Sequence, residues 1–134
     1  MINERRVLQG LVLLGGLVPV GAGLGGVLLG AGLTYDMLSV TGDSHYRYLS
    51  GLLLATGLGF WSTVPAIELK SRRFRLLTAI VFVGGLARLA GLAAMGVPST
   101  AMLAGLAMEL LVTPGFCLWQ ARIARLARSA SESP

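Results

Sequence analysis

The chain has 134 residues, of which 54% are hydrophobic, only 13% are charged and 19 are glycines. This composition is too apolar for an ordinary soluble domain, whereas the glycines suit a membrane bundle in which helix backbones approach closely. The single cysteine excludes an internal disulfide and a cysteine-based metal centre. The net charge of +5 lies at the ends of apolar segments, which favours lipid headgroups over nucleic acid as its partner.

Four apolar segments predict an all-α polytopic membrane protein, a four-helix transmembrane bundle formed as one domain over residues 1–134. The segments cover about residues 7–33, 48–67, 76–95 and 100–120. The first follows the basic pair Arg5-Arg6, as the core of a signal peptide does, but it is too long for such a core. A retained helix is therefore favoured over a signal peptide.

Small residues recur every four positions in the first two segments. Such residues let a second helix backbone come close, so the two stripes predict faces that pack against protein. The stripes consist of Ala22, Gly26 and Gly30 in the first segment, and of Gly51, Ala55 and Gly59 in the second.

The connection between the first two segments, residues 34–47, is the longest polar stretch within the chain. Asp43 or Ser44 is the predicted N-cap of the second helix, because short oxygen-bearing side chains accept its free amide hydrogens. His45 is the only histidine, and one histidine beside one acid is a weak metal site, so no metal is predicted. In the fourth segment, Pro114 predicts a local distortion of the helix.

Cationic residues are concentrated at one end of the predicted helices. Only Arg47 lies at the other end, and Arg88 lies inside the third segment. The positive-inside rule then predicts a bacterial inner-membrane protein with both termini and the middle connection in the cytoplasm. The residues on the cytoplasmic side are Arg5, Arg6, Lys70, Arg72, Arg73, Arg75, Arg122, Arg125 and Arg128. Those predicted to contact lipid headgroups are Arg72, Arg73, Arg75, Arg122 and Arg125.

Two ionisable residues lie within apolar segments, Arg88 in the third and Glu109 in the fourth. Arg88 comes ten positions before Pro98 and Glu109 eleven after it, so in an antiparallel helix pair the two lie at the same depth. At about 1.5 Å of rise per residue, that depth is roughly 15 Å from the turn, near the middle of a bilayer. Because a charge in an apolar helix needs a partner, we predict that their charged atoms lie within about 4 Å.

Two interpretations of this pair stay open. In the first, it is a structural ion pair that fixes the register of the last two helices. In the second, Arg88 binds an anionic or carbonyl group, such as a quinone headgroup, while Glu109 exchanges a proton. Arg47 and Ser50, near the outer end of the second segment, extend the site in this second interpretation.

Several of these residues stand in motifs that resemble a known family. The motifs are Arg47-Tyr48-Leu49-Ser50-Gly51, Gly84-Gly85-Leu86-Ala87-Arg88-Leu89, Gly96-Val97-Pro98 and Glu109 in the fourth segment. They resemble the small bacterial four-helix membrane proteins of the DUF4345 type, over most of the chain after about residue 40. More distantly, the chain resembles DoxX-like four-helix membrane proteins, some of which are linked to quinone or thiol redox chemistry. The resemblance implies a four-helix membrane fold and no established activity.

Three classes of function remain. The first is a non-enzymatic accessory or scaffold protein that packs within a membrane complex or with its own copies. The second is a binder or proton-coupled transporter of a small lipophilic or anionic ligand at Arg88 and Glu109, similar to the small multidrug-resistance proteins, whose intramembrane Glu is in the first span. The third is a redox or lipid-modifying enzyme, which no pair of His or Cys residues supports. The sequence favours the first class, with the lipid bilayer as partner and no resident cofactor, while a bound quinone or lipid stays open.

Overall fold

The computed structural model describes residues 2–33 and 39–131, and every element of regular structure within these ranges is helical. The described ranges contain four helices that are long and apolar enough to cross a membrane, as judged by length and composition. The predicted fold class, an all-α protein with four helices of membrane-spanning length, is therefore confirmed. The helices are α1 (Ile2–Leu29), α2 (Val40–Trp61), α3 (Ser71–Met95) and a fourth one formed by α4 (Thr100–Ala107), a π-helical turn (Met108–Val112) and α5 (Thr113–Ser131).

The chain divides into two compact units, one formed by Gln9–Val64 and the other by the residues before and after it. The first unit contains most of α1 and all of α2. In the second unit, α3 and the fourth helix form an antiparallel hairpin around a turn at residues 96–99. Gly96 has a φ of 99° in this turn, a conformation that favours glycine. The prediction of a single domain stays a prediction.

Helix α2 begins earlier than the second apolar segment, and its predicted cap is wrong. Ser39 is the N-cap, and its Oγ accepts a hydrogen bond of 3.1 Å from Gly42 N. Asp43 lies in the first turn instead, where a carboxylate is favourable, and it pairs with Arg47 one turn later. The part of the predicted polar connection from Val40 onward is thus helical, and residues 34–38 lie outside the described residues.

Glycines bring α1 and α2 into close contact in the first unit. A Cβ atom at Gly23 would lie 2.5 Å from Leu54 N, and one at Gly26 would overlap the hydroxyl of Ser50. Gly57 on α2 is also buried, and a Cβ atom there would lie 2.8 Å from Val20 Cγ2 and 3.1 Å from Val20 N on α1. The two backbones therefore pack at positions where any larger residue would force them apart.

Of the predicted small-residue stripes, Gly26 and Gly30 are buried within the first unit, whereas Ala22 and Ala55 are exposed and take no part in the contact between α1 and α2. An α-helix repeats every 3.6 residues, so a strict spacing of four drifts around the helix by about 40° at each step. The face of α2 that packs on α1 alternates steps of four and three residues. It consists of Ser50, Leu54, Gly57 and Trp61.

The most deeply buried side chains of the second unit lie at the end opposite its turn. Gln120 is fully buried there, and its Nε2 donates to Ile67 O at 2.7 Å and to Ser71 Oγ at 2.8 Å. These bonds join α5 to the start of α3. The apolar residues buried around this junction are Leu8, Ile67, Phe74, Ile123 and Ala124.

Candidate functional site

Arg88 and Glu109 face each other across the hairpin of α3 and the fourth helix. Arg88 Nε lies 3.0 Å from Glu109 Oε2, and Arg88 Nη2 lies 3.1 Å from Glu109 Oε1. The guanidinium therefore donates two parallel hydrogen bonds to the carboxylate, which is the bidentate geometry that arginine favours. Both distances lie within the limit of about 4 Å that was expected from the sequence.

Gly85, one turn before Arg88, lets the two helices come close enough for this contact. It is buried, and a Cβ atom there would lie 2.9 Å from Glu109 Cβ and 2.7 Å from Leu110 Cδ2. The neighbouring Gly84 is different, because within the described part of the chain no non-adjacent atom lies within 4 Å of the corresponding position. Of the Gly84-Gly85 pair, only the second glycine is needed for packing inside the hairpin.

The third nitrogen of the guanidinium, Nη1, is not used by Glu109. It points to Met102 Sδ on α4 as its acceptor. A thioether sulfur is a weak acceptor, and a methionine side chain changes conformation easily. The Nη1 edge of Arg88 therefore has a weaker partner than the edge that binds Glu109.

Glu109 lies in the π-helical turn Met108–Val112, at the point where the fourth helix departs from α-helical geometry. Thr113 Oγ1 donates to Met108 O at 2.8 Å, and the following Pro114 has no N–H with which to continue the α-helical pattern. The distortion predicted from Pro114 is confirmed in the turn directly before it. Turns of this kind are frequent at functional sites.

The pair is partly exposed within an apolar surface. The side chains are 37% exposed for Arg88 and 21% exposed for Glu109. Large apolar side chains close to them in the sequence are exposed as well, among them Leu86, Leu89 and Leu111. The pair therefore lies in a part of the hairpin whose exposed side chains are largely apolar.

Arg47 is one of the two residues predicted to extend this site. Its hydrogen-bond partners lie within the first unit. Its Nε lies 2.7 Å from Asp43 Oδ2, and its Nη1 donates to Val27 O at 2.7 Å. Asp43 Oδ1 in turn accepts a hydrogen bond of 2.9 Å from Ala31 N. Together the two side chains satisfy backbone groups at the C-terminal end of α1, where a cation is favourable.

Ser50, the other predicted extension, is buried against Gly26 in the contact between α1 and α2. Arg47 and Ser50 thus have structural roles in the hairpin of α1 and α2. Their predicted contribution to a ligand site with Arg88 stays a prediction.

Residues 7–120 match the sequence model of the family described as Domain of unknown function (DUF4345). The chain belongs to this family. The match includes Arg47, Arg88, Met102 and Glu109, and the expected family is therefore confirmed. No curated protein and no solved structure matches the chain. The more distant resemblance to DoxX-like proteins stays a prediction.

In this DUF4345 protein, the arginines predicted to contact lipid headgroups all lie in the second unit. They occupy the first turns of α3 and one stretch of α5, at the end of the hairpin opposite the turn at residues 96–99. Their contact with headgroups stays a prediction. These residues are Arg72, Arg73, Arg75, Arg122 and Arg125.

Two further ion pairs join the N-terminal residues of α1 to the rest of the second unit. Arg5 Nε lies 3.1 Å from Glu68 Oε2, and Arg122 Nη2 lies 3.7 Å from Glu4 Oε1. From the sequence, Arg5 and Arg122 were interpreted as indicators of membrane orientation. The structure shows that both also pair with acids at this end of the unit.

Met102 and the role of Gly85 were not predicted from the sequence. Met102 precedes Glu109 by seven residues, a spacing that puts two residues on the same face of a helix, so this signal was present. Gly85 lies one turn from Arg88. The antiparallel pairing that puts Arg88 and Glu109 at the same depth therefore also indicates that Gly85 faces the fourth helix.

Proposed function

We propose that this family member is a non-enzymatic accessory or scaffold protein of the bacterial inner membrane, with both termini in the cytoplasm. It packs through its helices within a membrane complex or against its own copies. The orientation is supported by the cationic residues at one end of the four long helices.

The observation that carries the structural part of this proposal is the bidentate bond between Arg88 and Glu109. Both carboxylate oxygens and two of the three guanidinium nitrogens are used inside one hairpin. A group that fixes helix register is expected to be satisfied in this way, because an unpaired charge in an apolar span is costly.

The glycines left open on α3 and the fourth helix support the packing part of the proposal. Glycine weakens a helix, so its repeated use needs a reason. Within the described residues, Gly84, Gly91, Gly105 and Gly115 have no non-adjacent atom within 4 Å of the point that a Cβ atom would occupy. In a membrane, such positions allow another helix to approach closely.

Native mass spectrometry after extraction in a mild detergent tests this proposal. We expect the full chain to leave the membrane as two or more copies, or with another membrane protein at a fixed ratio. Gly84→Leu is expected to weaken that assembly, because it fills an open position on α3, whereas Val83→Leu on the adjacent exposed position is the control. A parent chain that is monomeric and carries only lipid would contradict the packing role.

We also propose a second candidate function, the binding of a small ligand at the same pair. Two observations favour it: the weak sulfur partner of Arg88 Nη1 and the π-helical turn that carries Glu109. This function is compatible with the first, because the bond to Glu109 uses a different edge of the guanidinium. A titration with neutral and anionic lipophilic probes tests it, and binding of none of them would contradict it.

A further inference from the structure

We infer that Arg88 Nη1 is the donor of a binding site for a carbonyl oxygen of an uncharged lipophilic molecule. This inference rests on the second candidate function above, and it names the class of ligand. The site consists of the Nη1 edge of Arg88, the Met102 thioether that contacts it, and Glu109 on the opposite edge.

The two edges of the guanidinium have different partners. Nε and Nη2 bind the two oxygens of Glu109 in bonds that are partly buried, whereas the bond from Nη1 to Met102 Sδ is on the exposed side. An oxygen acceptor is a better partner for an N–H group than a thioether sulfur. A ligand oxygen therefore gains a hydrogen bond to a charged donor by displacing a flexible side chain, and the pair with Glu109 stays intact.

The charge of the pair selects an uncharged ligand over an anion. Arg88 and Glu109 together have no net charge, so a neutral carbonyl compound leaves the site neutral. An anion would leave one negative charge within an apolar surface, which is unfavourable. Helix α4 carries no ionisable side chain, so no second cation on that helix offsets the anion.

The surroundings of the pair fit a lipophilic molecule. Leu86 and Leu89 on α3 and Leu111 on the fourth helix are exposed in the helical segments that carry the pair. A carbonyl compound with an apolar tail can therefore keep the tail along the apolar outside of the hairpin while its oxygen meets Nη1. A strongly hydrated ligand would have to lose its water to reach the same point.

Three probes with ten-carbon tails test the inference in phosphatidylcholine nanodiscs that hold the full chain. Decylubiquinone is neutral and has carbonyl oxygens, decylbenzene is neutral without them, and decanesulfonate is a permanent anion. The apparent affinity of each is read from the rise in melting temperature during a titration, since a ligand that binds the folded state raises it. We expect decylubiquinone to bind at least about tenfold more tightly than either other probe, the effect of one hydrogen bond to a charged donor.

Variants of the site then separate the inference from its alternatives. Arg88→Gln should lose this preference, whereas Arg72→Gln, the same change at an exposed arginine of α3, should keep it. Met102→Leu removes the competing sulfur and leaves the pair with Glu109, so it should bind decylubiquinone as tightly as the parent or more so. Glu109→Gln leaves Arg88 with a net positive charge, and decanesulfonate should then bind more tightly than to the parent.

The possible failures are distinct. Tighter binding of decanesulfonate than of decylubiquinone by the parent would overturn the inference about ligand class but keep a ligand site. Equal binding of decylubiquinone and decylbenzene, or no loss with Arg88→Gln, would overturn the role of Nη1. The absence of binding by all three probes would overturn both the inference and the second candidate function. It would not bear on the accessory role, which native mass spectrometry tests.

Discussion

Replacing either member of the Arg88–Glu109 pair by Leu should destabilise the protein more than replacing both. The parent has two hydrogen bonds between charged groups, at 3.0 Å and 3.1 Å. A single Leu variant loses both and leaves the other charge without a partner, which costs about 3–5 kcal/mol of unfolding free energy. In Arg88→Leu/Glu109→Leu no charge remains, so most of that loss should be recovered.

The environment of the pair decides this magnitude. If the exposed parts of the two side chains meet water, the pair is a surface salt bridge, and each single variant loses only about 0.2–1 kcal/mol. If they meet hydrocarbon or another protein, the larger loss applies. The measured loss therefore discriminates between a hydrated site and a dry one.

The unfolding free energy of the four proteins can be measured in bicelles by titration with a denaturing detergent, with helical circular dichroism as the signal. Arg72→Leu, an exposed arginine on the same helix, is the control and should leave stability unchanged. The reasoning is refuted if both single variants are as stable as the parent, or if the double variant loses the sum of the two single losses.

Three further predictions concern helix contacts. Gly26→Leu should lower the unfolding free energy by about 1–3 kcal/mol, because it overfills the contact between α1 and α2, whereas Gly25→Leu should not. Equal stability of the two variants, measured by circular dichroism, would exclude this packing face. Gly85→Val should lower stability by a similar amount, while Gly91→Val on the same helix should have little effect, as compared by thermal melting in detergent. Arg47→Gln removes a cation from the end of α1, so backbone amides there should exchange with deuterium about tenfold faster, and unchanged exchange would contradict the capping role.

The ion pair could be predicted from the sequence because two simple constraints act on it. Arg88 and Glu109 are the only charges within the last two apolar segments, and the turn between them fixes their relative depth. An antiparallel hairpin then leaves each charge one candidate partner. The same reasoning does not give the side-chain geometry, so the contact between the Nη1 edge and Met102 became visible only in the structure.

The contact faces of α1 and α2 were harder to predict because the membrane-length parts of both helices are apolar on every side. With no polar side to mark the outside, small residues were the only signal, and several sets of them fit a helical spacing. Gly57 was passed over in favour of Ala55, although of these two only Gly57 is buried. The start of α2 was missed because its first two turns are polar, and a cap at Ser39 together with the bond between Asp43 and Arg47 stabilises them.

The most direct test of the account is whether the four long helices cross a membrane with both termini on the cytoplasmic side. Single cysteines can be placed at the exposed positions Ser44, near the start of α2, and Ser131, at the end of α5, after Cys117 has been changed to Ala. A maleimide that cannot cross the membrane is then applied to sealed vesicles of either orientation. We expect Ser131→Cys to react only in inside-out vesicles and Ser44→Cys only in right-side-out vesicles. Reaction of both cysteines from the same side would contradict the account.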